Sequence, residues 1–198
     1  MSLVQKINAG LHQPLTTFKW FERFIALFCI SIPVLLYITD KCRDGGHYIG
    51  FRTSISDYVY MWHSYVFGML LSIAAMLFVF NGAVYFRVEG EKSELNLSKY
   101  GKWYNIILGL SLLMVVCLPW REYTVPHFTF ATIFFFGNAV VTGLFHQKRN
   151  QALSITLAVL TVVALIIYIL GPFPGFSLLA AEWISLTVVG IHFYLESR

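Results

Sequence analysis

Apolar residues fill this chain in six long blocks, at roughly 21–39, 57–80, 103–119, 127–145, 153–170 and 176–195, separated by shorter polar stretches. A helix needs roughly 20 mostly apolar residues to cross a bilayer. The blocks are continuously apolar, whereas a membrane strand alternates apolar and polar positions, so helices are predicted throughout. The pattern predicts an all-α polytopic membrane protein with six transmembrane helices in one bundle, forming a single domain over 1–198. Pro33 lies inside the first block and predicts a kink there. Ahead of it, Leu3, Val4, Ile7 and Leu11 suggest a short interfacial helix. The first block follows Lys19 and Arg23 and lacks a small-residue cleavage site, so it reads as a retained signal-anchor.

Composition agrees with this picture. Of the 198 residues 58% are hydrophobic and 12% charged, and the mean hydropathy is +0.68. A soluble domain carries about 25% charged residues. The formal charge of +4 is a matter of topology rather than of nucleic-acid binding. With six spans, both termini and the loops 81–102 and 146–152 share one side, which holds ten of the 14 Lys and Arg residues. The other side holds Lys41, Arg43, Arg52 and Arg121. Basic residues accumulate on the cytoplasmic side, which places both termini in the cytoplasm, with membrane lipids as the expected partners. Cys29 and Cys117 lie in apolar blocks and Cys42 is alone in a loop; they form no CxxC pair, no zinc spacing and no expected disulfide.

Ionisable groups inside hydrocarbon are costly and turn toward the bundle interior. Asp57, His63 and Ser64 stand on the second block, His127, Asn138 and Thr142 on the fourth, and Glu182, Ser185 and His192 on the sixth. These three blocks all begin on the outer side, so their early residues share a depth. His63 lies about 9 Å below Asp57 at helical rise, and Glu182 is at a similar distance from Phe176. Ser56, Tyr60 and His63 share one helical stripe. An outer-leaflet cluster of His63, His127 and Glu182 is therefore expected, with Ser56, Asp57 and Tyr60 at its mouth. Each residue also has a plainer role. Ser54 and Asp57 have the spacing of a helix-capping box, His127 follows Pro126 at a helix start, and His192 fits the cytoplasmic interface. Glu182 needs either a proton or a partner.

The run Arg52-Thr-Ser-Ile-Ser-Asp-Tyr-Val-Tyr60 resembles the S-I-S-x-Y signature of bacterial six-span membrane proteins. These in turn are similar to the DRAM-like group, which includes autophagy modulators and proteins of GPI-anchor lipid remodelling. Pro126-His-Phe-Thr-Phe-Ala through Phe136, and Ala181-Glu-Trp183, extend the likeness over most of 50–195. The resemblance implies a six-helix bundle connected with lipids and a bacterial inner membrane. The metal-dependent ceramidase-like hydrolases are only loosely comparable, and this chain lacks their closing H-x-x-x-H.

Three functions follow as expectations. In the first, a membrane enzyme acts on a lipid or lipid-linked substrate from the outer leaflet. There His63, His127 and a carboxylate, Glu182, hold zinc, which accepts imidazole nitrogen and carboxylate oxygen, or serve directly as acid and base with Glu182 suited to proton transfer; Glu182, Asp57, Ser56 and Tyr60 are the catalytic candidates. In the second, the same pocket only holds a lipid headgroup. The third is a small transporter, for which no inverted repeat is detectable. Haem between His63 and His127 meets the depth requirement but has no other support.

Overall fold

The computed structural model describes residues 14–41, 51–88, 102–146, 148–171, 173 and 175–198. The expected interfacial helix over 3–11, Cys42, Arg43, Asp44 and His47 lie outside them. The described residues form six α-helices and no strand: α1 (Pro14–Lys41), α2 (Ser64–Val88), α3 (Tyr104–Cys117), α4 (Thr124–Leu144), α5 (Gln151–Leu170) and α6 (Leu178–Glu196). A short 3-10 helix, Ser56–Tyr60, precedes α2.

Each helix packs on the next, and α6 closes back onto α1 to complete a ring. Neighbours run antiparallel. Phe21 meets Phe80 at the start of α1 and the end of α2, while Asn81 bonds Asn105 across α2 and α3. Glycines let two of these pairs approach closely. A Cβ on Gly109 would lie 2.6 Å from the Ala75 carbonyl, and one on Gly190 would lie 2.5 Å from the Ile30 side chain. Small residues at helix contacts are how membrane bundles gain van der Waals packing where no hydrophobic drive separates protein from lipid.

The bundle is apolar outside, and its largely apolar interior also encloses polar side chains. Its outside is aliphatic: α5 alone exposes Leu153, Ile155, Val159, Leu160, Val163 and Ile166. Inside, Asn81, Asn105, Asn138, Thr142, Glu182, Ser185 and His192 are all buried. On the central axis Phe78 of α2 makes edge contacts with Phe134 of α4 and Phe193 of α6, at centroid distances of 5.6 and 5.2 Å. This aromatic block separates a polar cluster at the end where α1 begins and α6 ends, called basal here, from one at the opposite, outer end.

Among the described residues five helices are long and apolar enough to cross a membrane. The expected third span is shorter than its apolar block, because α3 has 14 residues and so a length of about 21 Å, against a hydrocarbon core of about 30 Å. The second span also differs from expectation. The block 57–80 is not one helix: α2 begins at Ser64, and Tyr58 and Met61 are buried in the mouth of the bundle. Their apolarity reflects contact with protein rather than with lipid. α1 continues through Pro33. α6 is capped by Ser177, whose hydroxyl accepts the Ala180 N–H at 3.2 Å and so satisfies an otherwise unpaired donor.

Candidate functional site

The segment 51–63 crosses the outer mouth of the ring and is fixed at several points. The backbone N–H of Leu179 donates to the Thr53 carbonyl at 3.0 Å. Arg52 grips Asp40 at the end of α1 through Nε and a terminal nitrogen, each at 2.9 Å, and both side chains are 7% exposed. This planar bidentate geometry suits guanidinium and carboxylate. Ser54 Oγ accepts the Asp57 N–H at 3.1 Å, which is one half of the expected capping box. The other half is absent, since the Asp57 carboxylate turns outward to Trp120 Nε1 and Arg121, both at 3.3 Å.

Beneath this cover lies a cavity of about 30 Å³ lined by Ser56, His127 and Glu182 among apolar side chains that include Cys29, Ile55, Ala131 and Leu186. A water molecule needs only about 10–15 Å³ of such volume, so the space suits one or two waters and is too small for a headgroup. Glu182 and His127 come from different helices and each has one polar atom fixed by backbone. Glu182 Oε2 accepts the Ile55 N–H, which leaves Oε1 for the cavity. His127 Nδ1 lies 2.6 Å from the Leu118 carbonyl. A carbonyl only accepts, so Nδ1 carries the proton and Nε2 keeps a lone pair. Ser56 Oγ is 3.0 Å from Ser54 Oγ.

The residues expected at the site thus separate into two groups. Glu182, His127 and Ser56 meet at the cavity. Asp57 and Tyr60 are at the outer rim, where Tyr60 bonds Glu122 at 2.9 Å. His63 is on the turn before α2, with its Nδ1 3.3 Å from the Tyr65 hydroxyl, and is not among the residues lining the cavity. Among the described residues no group of three or more His, Cys, Asp or Glu is arranged to hold a metal. The zinc set His63–His127–Glu182 does not fit this geometry, because α2 begins only after His63 and the cavity shared by His127 and Glu182 is lined without it. Burial raises the Tyr58 hydroxyl to about 12, helped by the Asp40 carboxylate.

A second buried cluster, at the basal end, was missed by sequence reasoning. Lys102, counted as a cytoplasmic loop charge, is only 4% exposed. Its ammonium contacts Glu22 of α1 and lies 3.5 Å from Glu196 of α6. Burial works against the charge on Lys102, but Glu22, Tyr104 and Glu196 outweigh it and hold the group protonated beyond the usual lysine range. Asn105 Nδ2 donates to Asn81 Oδ1 at 2.6 Å. His192, expected at the interface, is buried instead. The only hint in the sequence was Glu22 itself, an acid at the edge of an apolar block.

A model of a family of unknown function (DUF7103) matches residues 31–197. No curated protein and no solved structure matches the chain. The matched region runs from the middle of α1 to the last residues of the chain and takes in Ser56, His127 and Glu182, while Glu22 and the cavity-lining Cys29 fall outside it.

Proposed function

The chain belongs to DUF7103, a family of unknown function, and from the geometry of its own residues we propose that it handles a lipid or lipid-linked substrate at the outer end of a six-crossing bundle. The observation that carries this reading is the meeting of Glu182 and His127 at one enclosed cavity beneath the 51–63 cover. Each has one atom tied to backbone and one left over. A water between a carboxylate and an imidazole lone pair is placed for proton transfer, and the aliphatic exterior presents lipid on every side. The cavity admits the water and not the lipid body, so the substrate's polar part lies above it and turnover requires the cover to shift. The likeness of 52–60 and 126–136 to bacterial six-span proteins, which in turn resemble a group that includes lipid-remodelling proteins, points the same way.

Six crossings are supported by α3 itself. It exposes Ile107 and Leu110 outward, and Trp103 and Trp120 bracket it as interfacial aromatics do. The excess of basic residues at the basal end orients that end to the cytoplasm. The aromatic block of Phe78, Phe134 and Phe193 closes the axis and speaks against a continuous transport path.

Lipid analysis tests the proposal. Purified wild-type protein is expected to carry phospholipid through detergent exchange, and to alter its acyl or headgroup composition on incubation. Glu182→Gln and His127→Gln are expected to lose the alteration. Retention of lipid without alteration, equal in all three proteins, leaves a holding role and sinks the proton-transfer pair. A wild-type protein free of lipid sinks the whole reading.

A further inference from the structure

Arg121 and Glu122 are neighbours on the turn that joins α3 to α4, and Tyr60 from the mouth segment holds both. The Tyr60 hydroxyl donates to Glu122 Oε2 at 2.9 Å and accepts the Arg121 backbone N–H at 3.1 Å. The Arg121 guanidinium lies 4.1 Å above the Tyr60 ring and 5.5 Å from that of Trp120. Trp120 in turn meets Tyr60 edge-on at 6.5 Å. Stacking of this kind fixes a guanidinium while leaving its in-plane donors open.

The donors are largely unused. A guanidinium has five N–H groups, and Arg121 makes a single side-chain hydrogen bond, to Asp57 at 3.3 Å. Its side chain is 54% exposed, against 9% for Asp57. Arg52 shows the contrast, being engaged twice by Asp40 and shut off from solvent. Glu122 likewise gives one oxygen to Tyr60 and keeps the other. Exposed Trp62, Tyr65 and Tyr123 stand at this end of the bundle, the kind of aromatic girdle that marks the level of lipid headgroups.

One positive and one negative group are therefore held side by side, both open, where headgroups lie. A purely anionic headgroup meets Glu122 and Asp57 as well as Arg121, and an isolated cation meets Arg121. A headgroup with both charges satisfies the pair. We propose that this rim binds a zwitterionic phospholipid headgroup, its phosphate on Arg121 and its amine on Glu122. The inference rests on the reading that the outer end handles lipid, and it names the lipid class.

The test is competitive retention on the purified full chain, read by native mass spectrometry. The protein is offered equal amounts of dioleoyl phosphatidylethanolamine and dioleoyl phosphatidylglycerol. The wild-type chain is expected to keep the zwitterionic lipid over the anionic one by about fivefold, the scale of one half-exposed ion pair. Glu122→Gln, a near-isosteric change of an exposed side chain, is expected to keep phospholipid but lose the preference. Arg121→Gln is expected to weaken retention of both. Wild-type retention with no preference, or with preference for phosphatidylglycerol, overturns this inference and leaves the lipid reading standing. A wild-type chain that retains neither lipid overturns the reading beneath it. Glu122→Gln with the wild-type preference intact removes the amine contact and with it the proposal.

Discussion

The carboxylate of Glu182 accepts a hydrogen bond from the backbone N–H of Ile55 at 2.5 Å, although 127 positions separate them in the chain. The contact ties the mouth segment to α6 and satisfies a buried backbone donor that no helix serves. It also consumes half of the carboxylate that the cavity presents, so cover and site are mechanically linked.

Removing that acceptor exposes the link. Glu182→Ala leaves a buried N–H unpaired, a loss of about 1–3 kcal/mol, whereas Glu182→Gln keeps an oxygen there and costs less. Thermal unfolding in detergent measures both. If the two variants unfold together at the wild-type temperature, the bond contributes nothing to holding the cover.

The Arg52–Asp40 pair makes a sharper case, because both partners are buried. Arg52→Gln leaves a buried carboxylate without its cation, which costs about 3–5 kcal/mol. The double change Arg52→Gln with Asp40→Asn removes the stranded charge and should recover much of the loss. A double variant as unstable as the single one would show that the pair's charges are not the issue.

Gly190→Leu should separate α1 from α6, since even a Cβ meets Ile30 and the Ala26 carbonyl at 2.5 and 2.9 Å. Overpacking of this kind costs about 1–3 kcal/mol or more. Disulfide crosslinking of cysteines placed on the two helices reads the separation directly, and unchanged crosslinking in the leucine variant would contradict the packing.

Sidedness is tested by labelling. Cys42 should react with a membrane-impermeant maleimide in intact cells, and a cysteine at Arg149, in a chain whose other cysteines are serine, only after permeabilisation. The reverse pattern inverts the topology.

The rim's pH response follows from Tyr60. Burial, then the Glu122 carboxylate, raises its hydroxyl above the ordinary value of 10.0, with Arg121 opposing. A raised pKa stabilises the protonated form in the folded protein, so the Tyr60–Glu122 bond is intact below about pH 10 and is lost as pH rises through the folded value. Headgroup preference should therefore be flat from neutrality to about pH 9 and fall above pH 10. A fall already near pH 7 would assign the preference to another group.

The apolar blocks are read by a solvent, so the sequence alone determined that the described residues form six apolar helices. Lipid selects for continuous apolarity over a helix length, and that is a local property of the chain. The boundaries of α2 and α3 are not local. Tyr58 and Met61 read as span residues, yet they are buried by protein, and hydropathy does not distinguish a lipid tail from a packed helix. The same limit decided the site. Depth along a helix placed Glu182 and His127 near the outer end, but their meeting depends on how α4 and α6 face each other inside the ring. His63 was lost through a late helix start that only the packing of segment 51–63 imposes. Lys102, a loop charge by position, became a buried partner of Glu22 because α1, α3 and α6 converge at the basal end. Ionic partners from separate helices are a property of the closed ring, and no stretch of chain carries them by itself.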